Sequence, residues 1–430
     1  MHPSPHRTAT GPRVLAVTFL LACTSGCGDA PAEPVRSSEL PPGFWFDEAF
    51  PSGAADLDLE RREDLEALTG LGYASGYERA GSTLGVTHWD RERTRSGWNL
   101  YTSGHGPEAV LMDMAGQVVH SWNLPYDHVP GAPAMPDPNM GAWRRAALLP
   151  DGGLVAVHEG LGVVCVDRDS NLRWSHFGGE HHDVVARATD GHVFVLTQVE
   201  REVPSTGRTH SILDDALTEL DGNGQVVRSV SLTDALMRSM WGSLLHEQPP
   251  GKRDLLHANS LELVDQRLAA TDPRIEPGQW LVCLRDLNAV VTVDLDRERV
   301  TWLWQGPWGR PHDPTVVEDG RLLIFDNLGR KPGGSRVVEH EVFPEQLTWV
   351  WSATEEGLFS PVCGAVSRLA DGNTLVTETC RGRAYEVTPD GGIVWSFVSP
   401  HRTGRDGRLV AALFEVVRIP ERPPWLATPR

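Results

Sequence analysis

Three histidines stand at similar places in successive repeats of the chain, each at the start of an apolar strand. His182 begins the run His-Asp-Val-Val, His257 lies in Leu-His-Ala-Asn-Ser, and His312 begins His-Asp-Pro-Thr. Arg285 lies between the second and third of these motifs, and Asn259 follows shortly after His257. If the repeats close into a ring, the starts of their innermost strands meet at one axis. We therefore predict that these side chains form a single site.

This combination of side chains suits the transfer of an anionic group such as sulfuryl or phosphoryl. Neutral imidazole is a nucleophile and shuttles protons, while a guanidinium offers a fork of hydrogen-bond donors to tetrahedral oxyanions. The sequence has no Gly-x-Ser-x-Gly elbow and no Gly-x-x-x-x-Gly-Lys-Ser/Thr loop, so it favours neither carbonyl hydrolysis nor a nucleotide donor. It also has neither Cys-x-x-Cys nor His-Glu-x-x-His, and we predict no metal and no cofactor.

The repeats that carry these histidines predict an all-β fold. Asp-Gly pairs at 151–152, 190–191, 319–320 and 371–372 separate apolar runs, which is a strong hairpin signal because glycine takes the positive φ of tight turns. Most repeats end in a strand with a tryptophan, which we expect to pack between neighbouring repeats. Four short strands per unit, at intervals of about 45 to 70 residues, are typical of propeller blades. We predict a six-bladed β-propeller over residues 95–420.

The regions that flank these repeats are predicted to form a closing strand, a collar and a tether. The run at 411–419 is predicted to be a strand that completes the blade begun at 99–101, so that the ring has no open edge. Residues 57–71 have helical spacing, and we predict a short helical or irregular collar over 57–94. Residues 23–56 are rich in proline, alanine, serine and acidic residues and are predicted to be a disordered tether.

Residues 1–22 are predicted to be a secretory signal peptide of the lipoprotein type. Arg7 and Arg13 precede a short apolar stretch that ends in Leu-Leu-Ala-Cys, which resembles the bacterial lipobox and would place the acylated cysteine at Cys23. Cys27 is the alternative acylation site, and a soluble secreted product is the alternative outcome. We expect an exported protein that is either periplasmic or attached to the membrane through its lipidated N-terminal cysteine.

The charge of the chain limits its partners. The formal net charge is −19 and the isoelectric point is near 5.3, which argues against nucleic acid or an anionic membrane surface as a partner. Local cations must therefore attract an anionic substrate, as the histidines and Arg285 would. Arg144 and Arg145 could add to this anion site or lie at its rim. The sequence does not indicate an oligomeric state.

Cys363 and Cys380 are predicted to face each other in the last blade. The prediction assumes a turn that pairs Leu369 with Thr374, which sets the two cysteines opposite each other. Exported proteins can oxidise such a pair. Cysteines directly opposed on paired strands, however, make a strained bridge. A disulfide and two buried free thiols therefore both stay open.

Several of these motifs together resemble the bacterial arylsulfotransferase family, the exported, nucleotide-independent aryl sulfate sulfotransferases. The resemblance covers about residues 99–400 and is carried by the runs at 256–260, 284–290, 312–315, 323–327 and 368–375. It implies a six-bladed propeller and a ping-pong exchange. In that exchange a phenolic sulfate ester gives its sulfuryl group to a histidine, and a second phenol collects it.

The resemblance also implies roles for the candidate residues. The family's site maps onto His312 as the nucleophile, onto His257 and Asn259 as a His-x-Asn motif, onto Arg285, and onto His182. His181 adjoins His182 and is the alternative for that position. By the same resemblance, Arg285 and the imidazoles neutralise the sulfate oxygens, and His257 or His182 protonates the leaving phenolate. Asn259 would contact the substrate.

Two other functions are compatible with a propeller. One is a ligand-binding or scaffolding lipoprotein without turnover, and convergence of His257, Arg285 and His312 on one point would argue against it. The other is a quinone-dependent dehydrogenase, which needs a calcium site and a stacked aromatic floor. The sequence offers no such constellation.

Overall fold

The computed structural model describes residues 75–426 except for short gaps at 136–140, 206–207, 250, 331–333, 353–356 and 404–406. All described residues belong to one compact unit. The signal peptide, the candidate acylation sites Cys23 and Cys27, the tether and the helical stretch at 57–71 lie outside the described residues, so they stay predictions. In the described part of the chain, no helix is both long enough and apolar enough to cross a membrane.

The described chain consists mainly of short antiparallel strands. It begins with β1 (Ser75–Arg79), β2 (Gly85–Trp89), β3 (Trp98–Ser103), β4 (Glu108–Asp113) and β5 (Val118–Asn123). The next strands are β6 (Trp143–Leu148), β7 (Leu154–His158), β8 (Gly162–Val166), β9 (Leu172–His176), β10 (Glu180–Ala186), β11 (Val193–Ser205), β12 (Arg208–Leu220) and β13 (Val226–Ser231). Then come β14 (Ala258–Leu263), β15 (Trp280–Leu284), β16 (Ala289–Asp294), β17 (Arg299–Gln305), β18 (His312–Val316), β19 (Leu322–Arg330), β20 (Gly334–Glu341) and β21 (Gln346–Trp351). The last are β22 (Ala365–Arg368), β23 (Thr374–Glu378), β24 (Arg383–Val387), β25 (Ile393–Val398), β26 (Arg402–Thr403), β27 (Leu409–Ala411) and β28 (Leu413–Ile419).

Among the described residues, helical structure is limited to short connections. The α-helices there are α1 (Leu232–Met237) and α2 (Gln266–Ala269). Single 3₁₀ turns lie at Tyr126–His128, Gly242–Glu247, Arg285–Leu287, Glu318–Gly320 and Thr379–Arg381. The prediction of an all-β fold is confirmed.

Consecutive strands pair into small separate sheets. Strands β6–β9, β10–β13, β14–β17 and β18–β21 each form a four-stranded sheet in chain order, and β22–β25 form another that β2 extends. A further four-stranded sheet combines β3, β4 and β5 with the late strand β28, in which Val417 pairs with Leu100. The prediction that the 411–419 run completes the first of these units is therefore confirmed. Strands β1, β27 and β26 form a small sheet of their own.

The Asp-Gly pairs form the predicted hairpin turns between the first two strands of four sheets. The turn at 151–152 joins β6 to β7, and Leu148 pairs with Leu154 across it. Gly152 has a φ of 88°, which a residue with a side chain rarely adopts. A Cβ there would also lie 2.6 Å from the ring of Trp425. Glycine is thus required at this turn both by its backbone angle and by the close approach of a ring.

The first strands of the sheets contact one another in sequence. Strand β6 contacts β10, β10 contacts β14, β14 contacts β18, and β18 contacts β22. Strand β22 in turn contacts β28, and β28 contacts β6. This series of contacts returns to its start, so the innermost strands surround a common centre.

Tryptophans of the outer strands connect neighbouring sheets, as predicted. The Nε1 atom of Trp122 donates to the carbonyl of Gly152 at 2.9 Å, in the first turn of the following sheet. Trp395, in the last sheet along the chain, donates to the carbonyl of Met114 in the first at 3.1 Å. Both side chains are completely buried. These rings fix the spacing between adjacent sheets.

The predicted collar differs from expectation where it is described. Residues 75–94 contain strands β1 and β2 rather than helical or irregular backbone. Strand β2 pairs with β25, and Trp89 lies opposite Trp395. The outer edge of the β22–β25 sheet leaves backbone hydrogen-bonding groups free, and an extended segment satisfies them whereas a helix cannot.

The predicted register of the two cysteines is wrong by one residue. Arg368, not Leu369, pairs with Thr374, because the turn closes through a bond from the Leu369 amide to the Asn373 carbonyl and leaves a three-residue loop. Cys363 lies before β22 and Cys380 lies in a 3₁₀ turn after β23. Both thiols are free and buried in the structure, and they share one small apolar cluster.

Candidate active site

Five of the innermost strands are interrupted by a β-bulge; in β28 the register shifts between Leu413 and Glu415. The register shifts between Trp143 and Ala146 in β6, and between His181 and Val184 in β10. It also shifts between Ala258 and Leu261 in β14, and between His312 and Thr315 in β18. A bulge leaves residues of one strand unpaired and re-aims their side chains. The predicted site residues lie at or beside these bulges, which explains why they meet.

The three histidines occupy neighbouring rather than identical positions in their repeats. His182 lies inside its bulge, His257 precedes β14 by one residue, and His312 is the last paired residue before its bulge. The backbones of His182 and His257 are left-handed, with φ of 59° and 51°. Such angles are uncommon for residues with a side chain and store strain that the surrounding sheets must hold.

The structure brings all three imidazoles and Arg285 together. The ring centroids of His182 and His257 are 5.0 Å apart, with ring planes at 84°. Burial lowers the pKa of His312 well below its usual value, and the charges of Arg285 and His182 lower it further. The backbone amide of Arg285 donates to the carbonyl of His257 at 3.2 Å. Asn259, two residues after His257, donates to the carbonyl of Pro311 at 2.9 Å, directly before His312. The sequence prediction of one shared site agrees with this arrangement.

A hydrogen bond to Asn327 determines which nitrogen of His312 faces the site. The His312 Nδ1 atom lies 2.8 Å from Oδ1 of Asn327. The amide nitrogen of Asn327 donates to the carbonyls of Ser360 and Cys363, so its oxygen must be the atom that accepts from His312. The proton of the ring is therefore on Nδ1. The Nε2 atom carries a lone pair, is buried, and has no hydrogen-bond partner among the described residues.

Carboxylates orient the other two imidazoles. Asp254 contacts the Nδ1 atom of His257 and also accepts from its backbone amide. Glu159 lies 2.9 Å from Nδ1 of His182 and accepts from the His182 backbone amide at 2.8 Å. In each case one carboxylate fixes both the strained backbone and the ring, an arrangement that sets which nitrogen points away.

The Arg285 side chain is held by a short 3₁₀ turn directly after β15. Its Nε atom donates to Oδ1 of Asp286 at 2.7 Å, and Lys252 bonds to the other side of that carboxylate at 2.7 Å. Asn288 ends the turn in the left-handed region, with φ of 48°. The run Leu-Arg-Asp-Leu-Asn therefore supplies the guanidinium, its partner and the residue that ends the turn.

Asn259 supports the backbone beside His312. Its amide nitrogen donates to the carbonyl of Pro311 at 2.9 Å, directly before His312. The thiol of Cys283 contacts the same carbonyl at 3.2 Å. Sequence reasoning expected Asn259 to contact the substrate. In the structure its donor group fixes the backbone that presents His312, and its buried Oδ1 atom has no hydrogen-bond partner among the described residues, so a contact with substrate stays a prediction.

Several residues of the site were not predicted. Asn327 belongs to the quoted Leu-Ile-Phe-Asp-Asn run, and Asp254 precedes His257 by three residues, but neither was given a role. Glu159 directly follows the last residue of β7 and belongs to none of the motifs in the sequence analysis. An amide or carboxylate close to a candidate histidine in sequence was the only available signal, and it was present for Asp254 alone.

The unliganded site favours neutral imidazoles. Burial lowers the pKa of His182 to about 3, against a partial opposing effect of Glu159. Burial and the charge of Arg285 lower the pKa of His257 to about 3. A buried site that contains fixed guanidinium groups thus disfavours further positive charge. A bound anion would raise the pKa values of these imidazoles.

A second set of charged side chains comes directly after the histidines in the same strands. Asp183 follows His182, and Asp313 follows His312. Arg145 bonds to Asp313 at 2.9 Å and also pairs with Glu415. Asp183 accepts from the backbone amide of Leu261 at 2.8 Å. Burial raises the pKa of Asp183 to about 6 and that of Glu415 to about 7. Arg145 and its two carboxylates connect β6, β18 and β28, and Asp183 connects β10 to β14.

One cluster among the described residues has the composition of a metal site. Ligand atoms of Glu159, His181 and His182 lie within 4.8 Å of one another. The two Nδ1 atoms are 2.8 Å apart, which is a hydrogen-bond distance and is shorter than two nitrogens on one zinc ion require. The contacts are those of a hydrogen-bond network that joins the two imidazoles and the Glu159 carboxylate.

The fold and the site define an all-β protein with a buried cluster of imidazole and guanidinium groups suited to an anion. Residues 145–400 match the family model described as arylsulfotransferase (ASST), and the chain belongs to this family. The match begins at the bulge of β6 and ends after β25, so it includes every predicted site residue. Membership supports a sulfotransferase that acts on small aryl substrates. No curated protein matches the chain significantly.

Several solved structures are distantly similar. One is a protein of unknown function from Bacteroides caccae, with 12% identity and a TM-score of 0.47, covering 70% of this chain and 93% of that chain. Another is a streptogramin B lyase, with 11% identity and a TM-score of 0.42, covering 77% of this chain and 90% of that chain. A third is a virginiamycin B lyase from Staphylococcus aureus, with 11% identity and a TM-score of 0.36, covering 65% and 85%. These similarities are too distant to bear on activity.

Proposed function

We propose that this protein transfers a sulfuryl group from a phenolic sulfate ester to a phenolic acceptor, by a ping-pong mechanism and without a nucleotide donor. The covalent intermediate is a sulfohistidine at Nε2 of His312. One observation carries the proposal: the Nε2 atom is unprotonated, buried and without a partner among the described residues, within the same cluster as Arg285, His182 and His257. Membership of the arylsulfotransferase family supports sulfuryl as the group that is transferred.

The proposed scaffold is a six-bladed β-propeller. The closed series of contacts among the innermost strands supports it, as does the bond from Trp395 in the last sheet to Met114 in the first. In this arrangement the five four-stranded sheets and the five-stranded sheet of β2 and β22–β25 are the six blades, and β28 closes the ring. The bulges of the innermost strands then carry the site at the axis.

In the first half-reaction the lone pair on Nε2 of His312 forms a bond to sulfur. The bond from sulfur to the aryl oxygen breaks, and its electron pair leaves with the phenolate. Arg285 stabilises the charge on the other sulfuryl oxygens, which do not react. Asn327 keeps the ring in the reactive tautomer and stabilises the positive charge that develops on it.

The leaving phenolate requires a proton, since phenols have a pKa near 10. His257 and His182 are the candidates, because each has a carboxylate at Nδ1 and can present Nε2 to the phenolic oxygen. Their pKa values are low in the empty site, and the negative charge of the ester raises them when it binds. In the second half-reaction the same imidazole removes the proton of the acceptor phenol, which then takes the sulfuryl group from His312.

We also propose that the protein is an exported lipoprotein acylated at Cys23, with the tether separating the propeller from the membrane. The lipobox-like Leu-Leu-Ala-Cys sequence supports this proposal. Mass spectrometry of the mature N-terminus tests it. A lipid-modified Cys23 is expected, and an unmodified terminus at another residue would contradict the proposal.

Initial-rate kinetics test the ping-pong mechanism. With 4-methylumbelliferyl sulfate as donor and phenol as acceptor, varying both substrates should give parallel double-reciprocal lines. Donor alone should give little turnover, because water is a poor substitute for the acceptor in a buried site. Intersecting lines would contradict a covalent intermediate. No turnover with any aryl sulfate would favour a ligand-binding protein instead.

A further inference from the structure

Arg144 and Arg145 are adjacent in the bulge of β6, but their surroundings differ. Arg145 is fully engaged by carboxylates, since it bonds to Asp313 and Glu415. Arg144 has one carboxylate nearby, Glu159, whose oxygen is 3.8 Å from its Nε atom. The bulge therefore carries one arginine whose charge is balanced within the protein and one whose charge is balanced only in part.

The position of Arg144 is fixed by contacts that leave one nitrogen unused. Its Nη2 atom donates to the thiol of Cys363 at 3.2 Å, and its guanidinium carbon lies 4.7 Å from the ring centroid of Phe414. The Nη1 atom is buried and has no hydrogen-bond partner among the described residues. A buried donor of a charged group costs considerable free energy when it is left unpaired, so an unused Nη1 requires a reason.

Arg144 is linked to His312 through Cys363 and Asn327. The carbonyl of Cys363 accepts from Asn327 at 2.8 Å, and Asn327 in turn bonds to Nδ1 of His312. The thiol of the same cysteine holds Arg144. The charge of Arg144 is also close enough to lower the pKa of His312. One residue, Cys363, thus positions both the nucleophilic ring and the guanidinium.

The two unused atoms are chemically complementary to a tetrahedral oxyanion. His312 Nε2 offers a lone pair and lacks an acceptor for it, while Arg144 Nη1 offers hydrogens and lacks an oxygen to receive them. A sulfuryl group satisfies both at once, because its sulfur accepts the lone pair and its oxygens accept the hydrogen bonds. No single group of the protein could do so.

We infer that Arg144 is a second sulfuryl-binding arginine, which donates from Nη1 to an oxygen of the transferred group while Arg285 donates to the others. The inference rests on the proposed function. Arg144 gives up no proton in the step: it only stabilises charge on the oxygens while the nitrogen–sulfur bond forms and the sulfur–oxygen bond to the aryl group breaks. Arg145 has no such role.

Equilibrium binding of inorganic sulfate tests the inference without requiring turnover. Calorimetry on the full-length protein should show that Arg144→Gln weakens sulfate binding about tenfold or more, the scale expected for losing a charge-assisted hydrogen bond. Arg144→Lys, which keeps the charge but not the fork, should weaken it less. Arg145→Lys is the matched control and should leave the affinity close to that of the unchanged protein. Circular dichroism and thermal unfolding should confirm that each variant is folded.

The outcomes separate this inference from the proposed function. Unchanged sulfate affinity in both Arg144 variants, or no sulfate binding by the unchanged protein, would overturn the role of Arg144. If Arg144→Gln loses sulfate binding but the unchanged protein transfers no sulfuryl group, the binding role stands and the proposed function fails. If the unchanged protein transfers the group and Arg144→Gln is fully active, the proposed function stands and the inference fails.

Discussion

The Nδ1 atom of His312 lies 2.8 Å from the side-chain oxygen of Asn327, and this contact leaves Nε2 as the nitrogen with the lone pair. Asn327 cannot reverse its amide, because its nitrogen already donates to two carbonyls. In the proposed mechanism the reactive tautomer of His312 is therefore set by Asn327, on the neighbouring strand β19. Its importance is testable by substitution.

Asn327→Ala should lower kcat by about 10- to 100-fold with little change in KM, the range seen when a group that orients a functional histidine is lost. The reason is that the ring loses its fixed orientation while the groups that bind sulfate remain. Steady-state kinetics with an aryl sulfate and phenol measure the effect. Asn223→Ala, in an exposed turn, is the control and should be unchanged. Equal losses in both variants would show a general effect on the fold.

Arg285→Ala should slow sulfuryl transfer by about 10² or more, the scale for removing one preorganised donor to developing charge. Arg285→Lys should recover part of the rate, because it keeps the charge but loses the fork. The measurement is kcat/KM for a single donor. Arg297→Ala, at a surface pair whose arginine side chain is 54% exposed, serves as the control. An Arg285→Ala rate equal to the control would remove this residue from the mechanism.

His257→Ala should reduce the rate most for donors with poor leaving groups. A nitrophenolate leaves without much protonation, whereas an alkyl-substituted phenolate needs a proton in the transition state. Rates for a series of substituted phenyl sulfates, plotted against the pKa of the leaving phenol, should therefore fall more steeply in the variant than in the unchanged protein. Equal slopes would assign the proton to another group, and the same series with His182→Ala would test that residue.

Sulfate binding should be accompanied by proton uptake. In the empty site the pKa values of His182 and His257 are near 3, below the ordinary histidine value, and a bound anion raises them. Since the complex then holds more protons than the free protein, affinity should increase as the pH falls from 7 towards 5, by at most about tenfold per unit for each proton taken up. Calorimetry in two buffers of different ionisation enthalpy counts the protons. An affinity for sulfate that stays constant, or falls, at lower pH would contradict the uptake of protons by these histidines when the anion binds.

Much of the fold could be predicted from local chemistry. The Asp-Gly turns require positive φ, and the tryptophans at the ends of outer strands need a neighbouring surface, so both features appear directly in the sequence. The position of Cys363 could not be predicted in the same way. Its register depends on whether the turn after Leu369 contains three or four residues, and one residue reverses every contact of a strand.

The main residues of the candidate site were predictable from the sequence, but the residues that orient them were not. His182, His257, His312 and Arg285 have side chains whose chemistry is evident from type alone. Their partners depend on how strands pair and where they bulge. Arg144 and Arg145 illustrate the limit: they are adjacent in sequence, yet Arg145 is balanced by two carboxylates whereas Arg144 donates to the thiol of Cys363.

The central claim is a covalent sulfuryl group on His312, and trapping that intermediate tests it most directly. Protein mixed with an aryl sulfate donor labelled with ³⁵S, in the absence of acceptor, should retain one acid-labile, alkali-stable label per chain, which peptide mapping should assign to His312. Added phenol should remove the label as the sulfated product, and folded His312→Ala should take up none. A His312→Ala protein that is labelled or active, or an unchanged protein that turns over without ever retaining label, would contradict the account.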